Sequence, residues 1–257
     1  MSLLDPGALA PNPGAAPPLR RILSQTRFDA RIMLRNGEQL LLTLVLPILV
    51  LVALTLLPFP DLGSGPRIDV VAPGVLALAV MSTAFTGQAI GTGFDRRYGV
   101  LRLLATTPLG RGGLLAGRLG AVLAVESVQV VVLSVIALAM GWRPDAAGIP
   151  LAVVLIVIGT GSFVALGLLL AGTLRAEAVL ATANLVWVLL LAGGGVVVPP
   201  EQMGRMAHLA TLLPSGALGD ALRAALQHAR LDVSALVVLL VWGVVAGFAT
   251  VRWFRWD

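Results

Sequence analysis

Glu126 is the one plainly internal charge in the long apolar runs of this 257-residue sequence, and with Ser127 and Gln129 it forms their most polar patch. A carboxylate at membrane depth costs on the order of 2.5 kcal/mol unless it is neutralised or paired, so it must face protein or a wet cavity. Gln88 and Asn184 are further polar candidates in the apolar runs. Two readings stay open for this set. Either Glu126 hydrogen-bonds between helices, with Gln88 or Asn184 as partner, or it touches something that passes through the protein. Both imply low tolerance of leucine at Glu126.

Other chemistry is limited by what the sequence lacks. Every basic residue is arginine, and without lysine there can be no GxxxxGKS/T phosphate loop, so ATP hydrolysis is not housed here by that route. His208 and His228 stand outside any HExxH spacing and read as structural rather than as zinc ligands. No serine nucleophile with a base is evident, nor a paired acid and base. With no cysteine, disulfides and thiolate metal sites are excluded. The sequence assigns no catalytic, cofactor or metal-binding residue.

The elements that must position these groups are helices in lipid. Hydrophobic residues make up 58% of the chain and charged residues 12%, about half the charged share of a soluble domain. A helix needs roughly 20 apolar residues to cross a hydrocarbon core of about 30 Å. Six runs qualify: 39–58, 70–94, 114–140, 149–174, 178–198 and 233–253. The sequence therefore predicts an all-α integral membrane protein of six transmembrane helices.

The net charge of +5 does not point to nucleic acid, because the arginines flank apolar runs instead of covering a soluble face. Arg20, Arg21, Arg27, Arg31 and Arg35 precede the first span; Arg96, Arg97, Arg102, Arg111 and Arg118 lie between the second and third. This asymmetry puts both termini in the cytoplasm by the positive-inside rule. Residues 1–18, rich in proline and lacking the basic start and apolar stretch of a cleaved signal, read as a disordered cytoplasmic tail.

Residues 19–36 are helical in pattern, with Leu19, Ile22, Leu23, Thr26, Ala30, Met33 and Leu34 on one face and Arg20, Arg27, Arg31 and Arg35 on another. This predicts an interfacial helix with its arginines among anionic headgroups; Phe28 fits the pattern poorly. Gly87 with Gly91, Gly113 with Gly117, and Gly243 with Gly247 are candidate close-packing pairs. Pro47 predicts a bend in the first span. The loop 199–232 carries leucines at near-helical spacing broken by Pro214 and Gly216, which predicts two short helices or a partly re-entrant hairpin capping the outer face.

The most informative segment is the loop 95–112. Asp95 opens it, Val100, Leu101, Leu103 and Leu104 give a short amphipathic helix its apolar surface, and Pro108 ends it. Too short to span and too apolar to float in water, this helix is shaped to enter another protein's groove or lie along the membrane. Gly99 is expected to take positive φ in a tight turn.

Here the chain resembles the permease subunits of ATP-binding cassette exporters of the drug, lipid and polysaccharide type. Asp95, Gly99, Leu101, Leu104, Thr107 and Pro108 match that family's linker between the second and third spans in order and spacing. The lead-in helix, the six spans, the long outer loop with Leu213-Pro214 and Leu222-Arg223, and the basic end match as well. Arg97 and Arg102 depart from the pattern, standing where acidic residues are frequent. The resemblance implies that Asp95, Arg96, Arg97, Tyr98, Gly99, Leu101, Leu104, Thr107 and Pro108 form a coupling helix seated in a separate ATPase subunit, with residues 19–36 as a connecting helix beside it. It implies no cofactor on this chain, with ATP and Mg on the partner ATPase, a second permease as a copy or a relative, and membrane lipid around both. It places the protein in the plasma (inner) membrane, exporting a drug-like, lipid or lipid-linked glycan substrate. From the residues alone, a proton-coupled secondary transporter using Glu126 and a non-transporting assembly protein are the alternatives.

Overall fold

The computed structural model of the chain describes residues 14–35, 37–63 and 65–254. Most of the expected tail, residue 36 and the last three residues lie outside them. Among the described residues there are eleven α-helices and no strand: α1 (Pro18–Arg35), α2 (Gly37–Leu56), α3 (Arg67–Val80), α4 (Gln88–Arg97), α5 (Val100–Ala105), α6 (Gly110–Ala139), α7 (Ile149–Thr173), α8 (Ala176–Gly193), α9 (Ala207–Leu212), α10 (Pro214–His228) and α11 (Val233–Trp253).

Five helical stretches are long and apolar enough to cross a membrane: Arg67–Arg97, Gly112–Ala139, Ala146–Thr173, Ala176–Gly193 and Val233–Trp253. The first expected span, 39–58, coincides with α2, a helix of 20 residues that includes the apolar stretch Thr43–Leu56. Helix α2 continues through Pro47, and α3 likewise runs through Pro73.

Arg67–Arg97 is the centre of the bundle: 83% of its apolar window is buried in protein, against 22–44% for the other four stretches. Helix α7 packs against α11, α4 and α10, while α1 lies along α6. The opposite faces are bare hydrocarbon: Val131 and Val135 on α6, Leu185 and Leu189 on α8, and Val244 and Phe248 on α11 are all exposed. In water such surface would be unsustainable; against acyl chains it costs nothing. The chain is a multi-pass membrane protein.

The central stretch is not a continuous α-helix. Met81–Gly87, between α3 and α4, winds as a π-helix, the wide turn that an extra residue makes in an α-helix. Its neighbours hold it on three sides. Thr83 Oγ1 donates to Gln129 Oε1 on α6 at 2.9 Å, and Trp187 Nε1 on α8 donates to Ser82 Oγ at 2.9 Å. On α7, Gly167 leaves room for the Phe85 carbonyl, which a Cβ there would meet at 2.7 Å.

Several expectations are corrected. The fifth span ends at Gly193 instead of reaching 198, because Val196 and Val197 are buried in non-helical chain beyond it. Of the glycine pairs, Gly117 packs on Gln25 and Thr26 of α1, and Gly243 on Ser162 of α7; Gly91 and Gly247 have nothing within 4 Å, and Gly87 meets only Ser82 of its own turn. On α1, the buried side runs through Ile22, Gln25, Thr26, Asp29, Ala30 and Met33, while Leu19, Leu23, Phe28 and Ile32 are exposed on either side of the arginines. Phe28 belongs to that second apolar face, which explains its misfit.

Candidate functional site

The linker between the central stretch and α6 is anchored by three consecutive residues at the end of α4. Asp95 forms an ion pair with Arg118 of α6, whose other terminal nitrogen donates to Thr92 Oγ1 at 3.0 Å. Arg96 donates to the Ala171 carbonyl at 2.7 Å and to that of Leu174, closing the C-terminus of α7 where carbonyls lack helical partners. Arg97 pairs with Glu177 in the first turn of α8. Three neighbouring side chains thus tie the linker to three different spans.

After these anchors the chain reverses. Gly99 adopts φ 74° and ψ 8°, the left-handed conformation that glycine takes without cost, and its N–H donates to Arg96 O at 3.1 Å. Its expected positive φ is present. Helix α5 follows, only 6 residues long, and the Thr106 and Thr107 hydroxyls satisfy its last carbonyls by donating to Leu103 O and Leu104 O at 2.7 and 2.6 Å.

The face that α5 presents differs from the expected one. Leu101 is buried at 1% exposure, whereas Leu103 is 70% exposed and Tyr98, stacked on Phe94 with ring centroids 6.1 Å apart, is 73% exposed. Leu104 is intermediate. The outward apolar surface is therefore Tyr98, Val100 and Leu103, with Leu101 as the root that fixes α5 to the bundle. Leu104, Thr107 and Pro108 instead line a recess of about 510 Å³ shared with Arg20, Arg21 and Phe28 of α1.

Helix α1 is locked beside this linker. Thr26 Oγ1 donates to Gly117 O at 3.2 Å, and Gln25 Nε2 donates to Asp29 Oδ1 at 2.9 Å. Burial pushes the Asp29 carboxyl above its ordinary range, while the Gln25 hydrogen bond and nearby Arg118 pull it back. The linker and α1 consequently share one charge network through Arg118.

The polar groups in the spans assemble differently from either sequence reading. Glu126 is buried, and its partner is Thr160 of α7, whose hydroxyl donates to Oε2 at 2.5 Å and has the Ile156 carbonyl at 2.8 Å as a second acceptor. The other carboxylate oxygen, Oε1, has no partner among the described residues. Gln129 bridges Thr83 and, through Nε2, the Thr43 carbonyl at 3.4 Å. Gln88 is buried with its Oε1 unpartnered, Asn184 is exposed on α8, and Ser127 is exposed and bonded to its own helix at Leu123 O. Neither Gln88 nor Asn184 is thus the partner of Glu126. Nothing in the spacing marked Thr160, since threonine in an apolar run is ordinary and its partner lies 34 residues away.

This geometry changes the expectation for leucine. Removing the Glu126 carboxyl deletes an unpaired oxygen and leaves the Thr160 hydroxyl its Ile156 acceptor, so an apolar side chain of similar volume is close to neutral for folding. Glu126→Leu is predicted to melt within about 1 kcal/mol of the parent in detergent. A larger loss would show that the carboxyl holds the helices together.

At the other end of the bundle, Arg223 of α10 is buried, its side chain 9% exposed. It donates to Asp220 Oδ1 at 2.6 Å and to the carbonyls of Gly195, Val196 and Val197 at 3.2, 2.8 and 3.3 Å. Gly74 of α3 makes room beneath this strap, where a Cβ would meet the Val196 carbonyl at 2.6 Å. A cavity of about 720 Å³ opens beside it, lined by Glu201, Asp220, Gln227 and Asp232 among others. In the sequence Arg223 stands out only as part of Leu222-Arg223.

No curated protein matches the chain. A family model described as ABC-2 type transporter matches residues 21–226, a range that begins within α1, contains the anchored linker and ends within α10. The chain belongs to the ABC-2 type transporter family, as a permease subunit of an ABC transporter.

Proposed function

We propose that this chain is the membrane half of an ATP-driven exporter, with both ends in the cytoplasm and α2 completing a set of six spans. ATP and Mg bind a separate ATPase subunit, and α5 seats in that subunit's groove. A second permease, a copy or a relative, completes the pathway in the plasma membrane, and the cargo is a drug-like amphiphile, a lipid or a lipid-linked glycan. The arginine asymmetry supports the orientation.

One observation carries the reading: a short helix exposes Tyr98, Val100 and Leu103, while Asp95, Arg96 and Arg97 fix its root to α6, α7 and α8. A pull on α5 is therefore delivered to several spans together. Exposed apolar residues on so firm a base suit a partner's pocket, where a few such anchors carry most of the affinity. Leu103→Asp, on the exposed face, leaves the fold intact and puts an unpaired charge into the contact. Purified with its ATPase subunit in lipid, this variant is predicted to lose subunit binding and substrate-stimulated ATP hydrolysis. Parental levels of both would remove α5 as the coupling element.

A further inference from the structure

Next to the outward face of α5 is a recess of about 310 Å³ whose charged lining is one-sided: Arg96, Arg97, Arg102 and Arg175 against Glu177 alone. Two of the four guanidinium groups are engaged, Arg96 with the end of α7 and Arg97 with Glu177. Asp95, the other nearby carboxylate, is committed to Arg118. Arg102 and Arg175 are both exposed, and neither has a hydrogen-bond or ion-pair partner among the described residues.

Like charges gathered round one recess repel each other, and water and salt only partly relieve this at a surface. Any partner that covers the recess removes that screening and must bring its own negative charge, or the contact becomes unfavourable. We infer that the ATPase surface receiving this linker is acidic, with carboxylates that enter the recess to meet Arg102 and Arg175, and that this match selects the ATPase with which the chain pairs. The inference rests on the coupling reading above and adds the partner's charge to it.

A protein groove fits better than lipid headgroups. Arg97 and Arg102 are each followed by an exposed apolar side chain, Tyr98 and Leu103, so cation and hydrocarbon alternate over a few ångströms, as a shaped pocket reads them. Discrimination against ATPases with neutral or basic grooves follows from the same arrangement, because a mismatched partner buries unpaired charge.

The test uses the full chain in nanodiscs and the ATPase subunit that co-purifies with it, measuring affinity as salt is raised. The double variant R102E/R175E is predicted to bind at least about tenfold more weakly. Parental binding should weaken steeply with salt, and Lys substitution of the acidic groove residues on the ATPase should restore binding to the double variant. Unchanged affinity and salt dependence in the double variant, with binding still abolished by Leu103→Asp, would overturn the acidic-groove inference and leave the coupling reading standing. Parental ATPase affinity combined with lost binding to phosphatidylglycerol vesicles would overturn it in favour of a headgroup site. Failure of every form, parent included, to bind an ATPase would remove the coupling reading and the inference together.

Discussion

Replacing Arg223 with leucine is predicted to cost about 3–5 kcal/mol and to lower the yield of folded protein, because it leaves a buried carboxylate without its cation and three carbonyls without their donor. The guanidinium spans Asp220 and the strap from Gly195 to Val197. Lysine is not an adequate substitute, since a single ammonium cannot reproduce the planar fork. The damage should depend on pH in a defined sense. Burial pushes the Asp220 carboxyl up to about 6 from an ordinary 3.8, with Arg223 pulling it down and Glu201 pushing it up. A carboxyl raised in the folded state contributes stability that is full below about 3.8 and is lost as pH rises through about 6. Without Arg223 the downward pull disappears, so Arg223→Leu should gain more from acidification between pH 7 and 4 than the parent does. Fluorescence-detected melting of both proteins across that range measures the difference; parallel pH curves would show that Asp220 and Arg223 are not energetically linked.

Gly148→Ala is predicted to cost about 2–3 kcal/mol, an effect that a single methyl group produces only where backbone meets backbone. A Cβ on Gly148 would lie 1.8 Å from the Ala225 carbonyl oxygen of α10, and neither side has a flexible side chain to yield. The same approach lets the Asp145 N–H donate to Leu226 O at 2.7 Å. Gly161 gives the contrast: it lies on α7, into which Gly148 leads, and a Cβ there meets nothing within 4 Å. Gly161→Ala should therefore be neutral or stabilising, by up to about 1 kcal/mol, through the better helix propensity of alanine. Melting temperatures of the two variants moving in the same direction would refute the packing argument.

The helices were legible because lipid imposes a length on apolar runs, and the last run coincided with α11. The fifth was overestimated because Val196 and Val197 are apolar whether helical or not; what removes them from α8 is an arginine more than two dozen residues later, which no local pattern reveals. The position and turn of α5 were readable from Gly99 and Pro108, but not its facing. With four of its six residues Val or Leu, periodicity could not choose which leucine is rooted, and burial decided for Leu101. Glycine identity likewise did not separate Gly117, which lies at a helix crossing, from Gly91, which does not. The arginine recess shows in the sequence only as a departure: Arg97 and Arg102 break the linker pattern, but Arg175, far along the chain, joins them through the packing of α4 against α8.

The wide turn at Met81–Gly87 has a consequence for how this sequence can change over time. In α6 or α7, losing one residue would rotate everything downstream by about 100°, sending core side chains to lipid and lipid-facing ones to the core. Within the π-helix, a lost residue is absorbed when the turn rewinds to ordinary α pitch, with the segments before and after it still in phase. The second span is thus the one place among the described spans where the chain can shorten by a residue without re-aiming α5, so single-residue length variation in this protein's descendants should collect there.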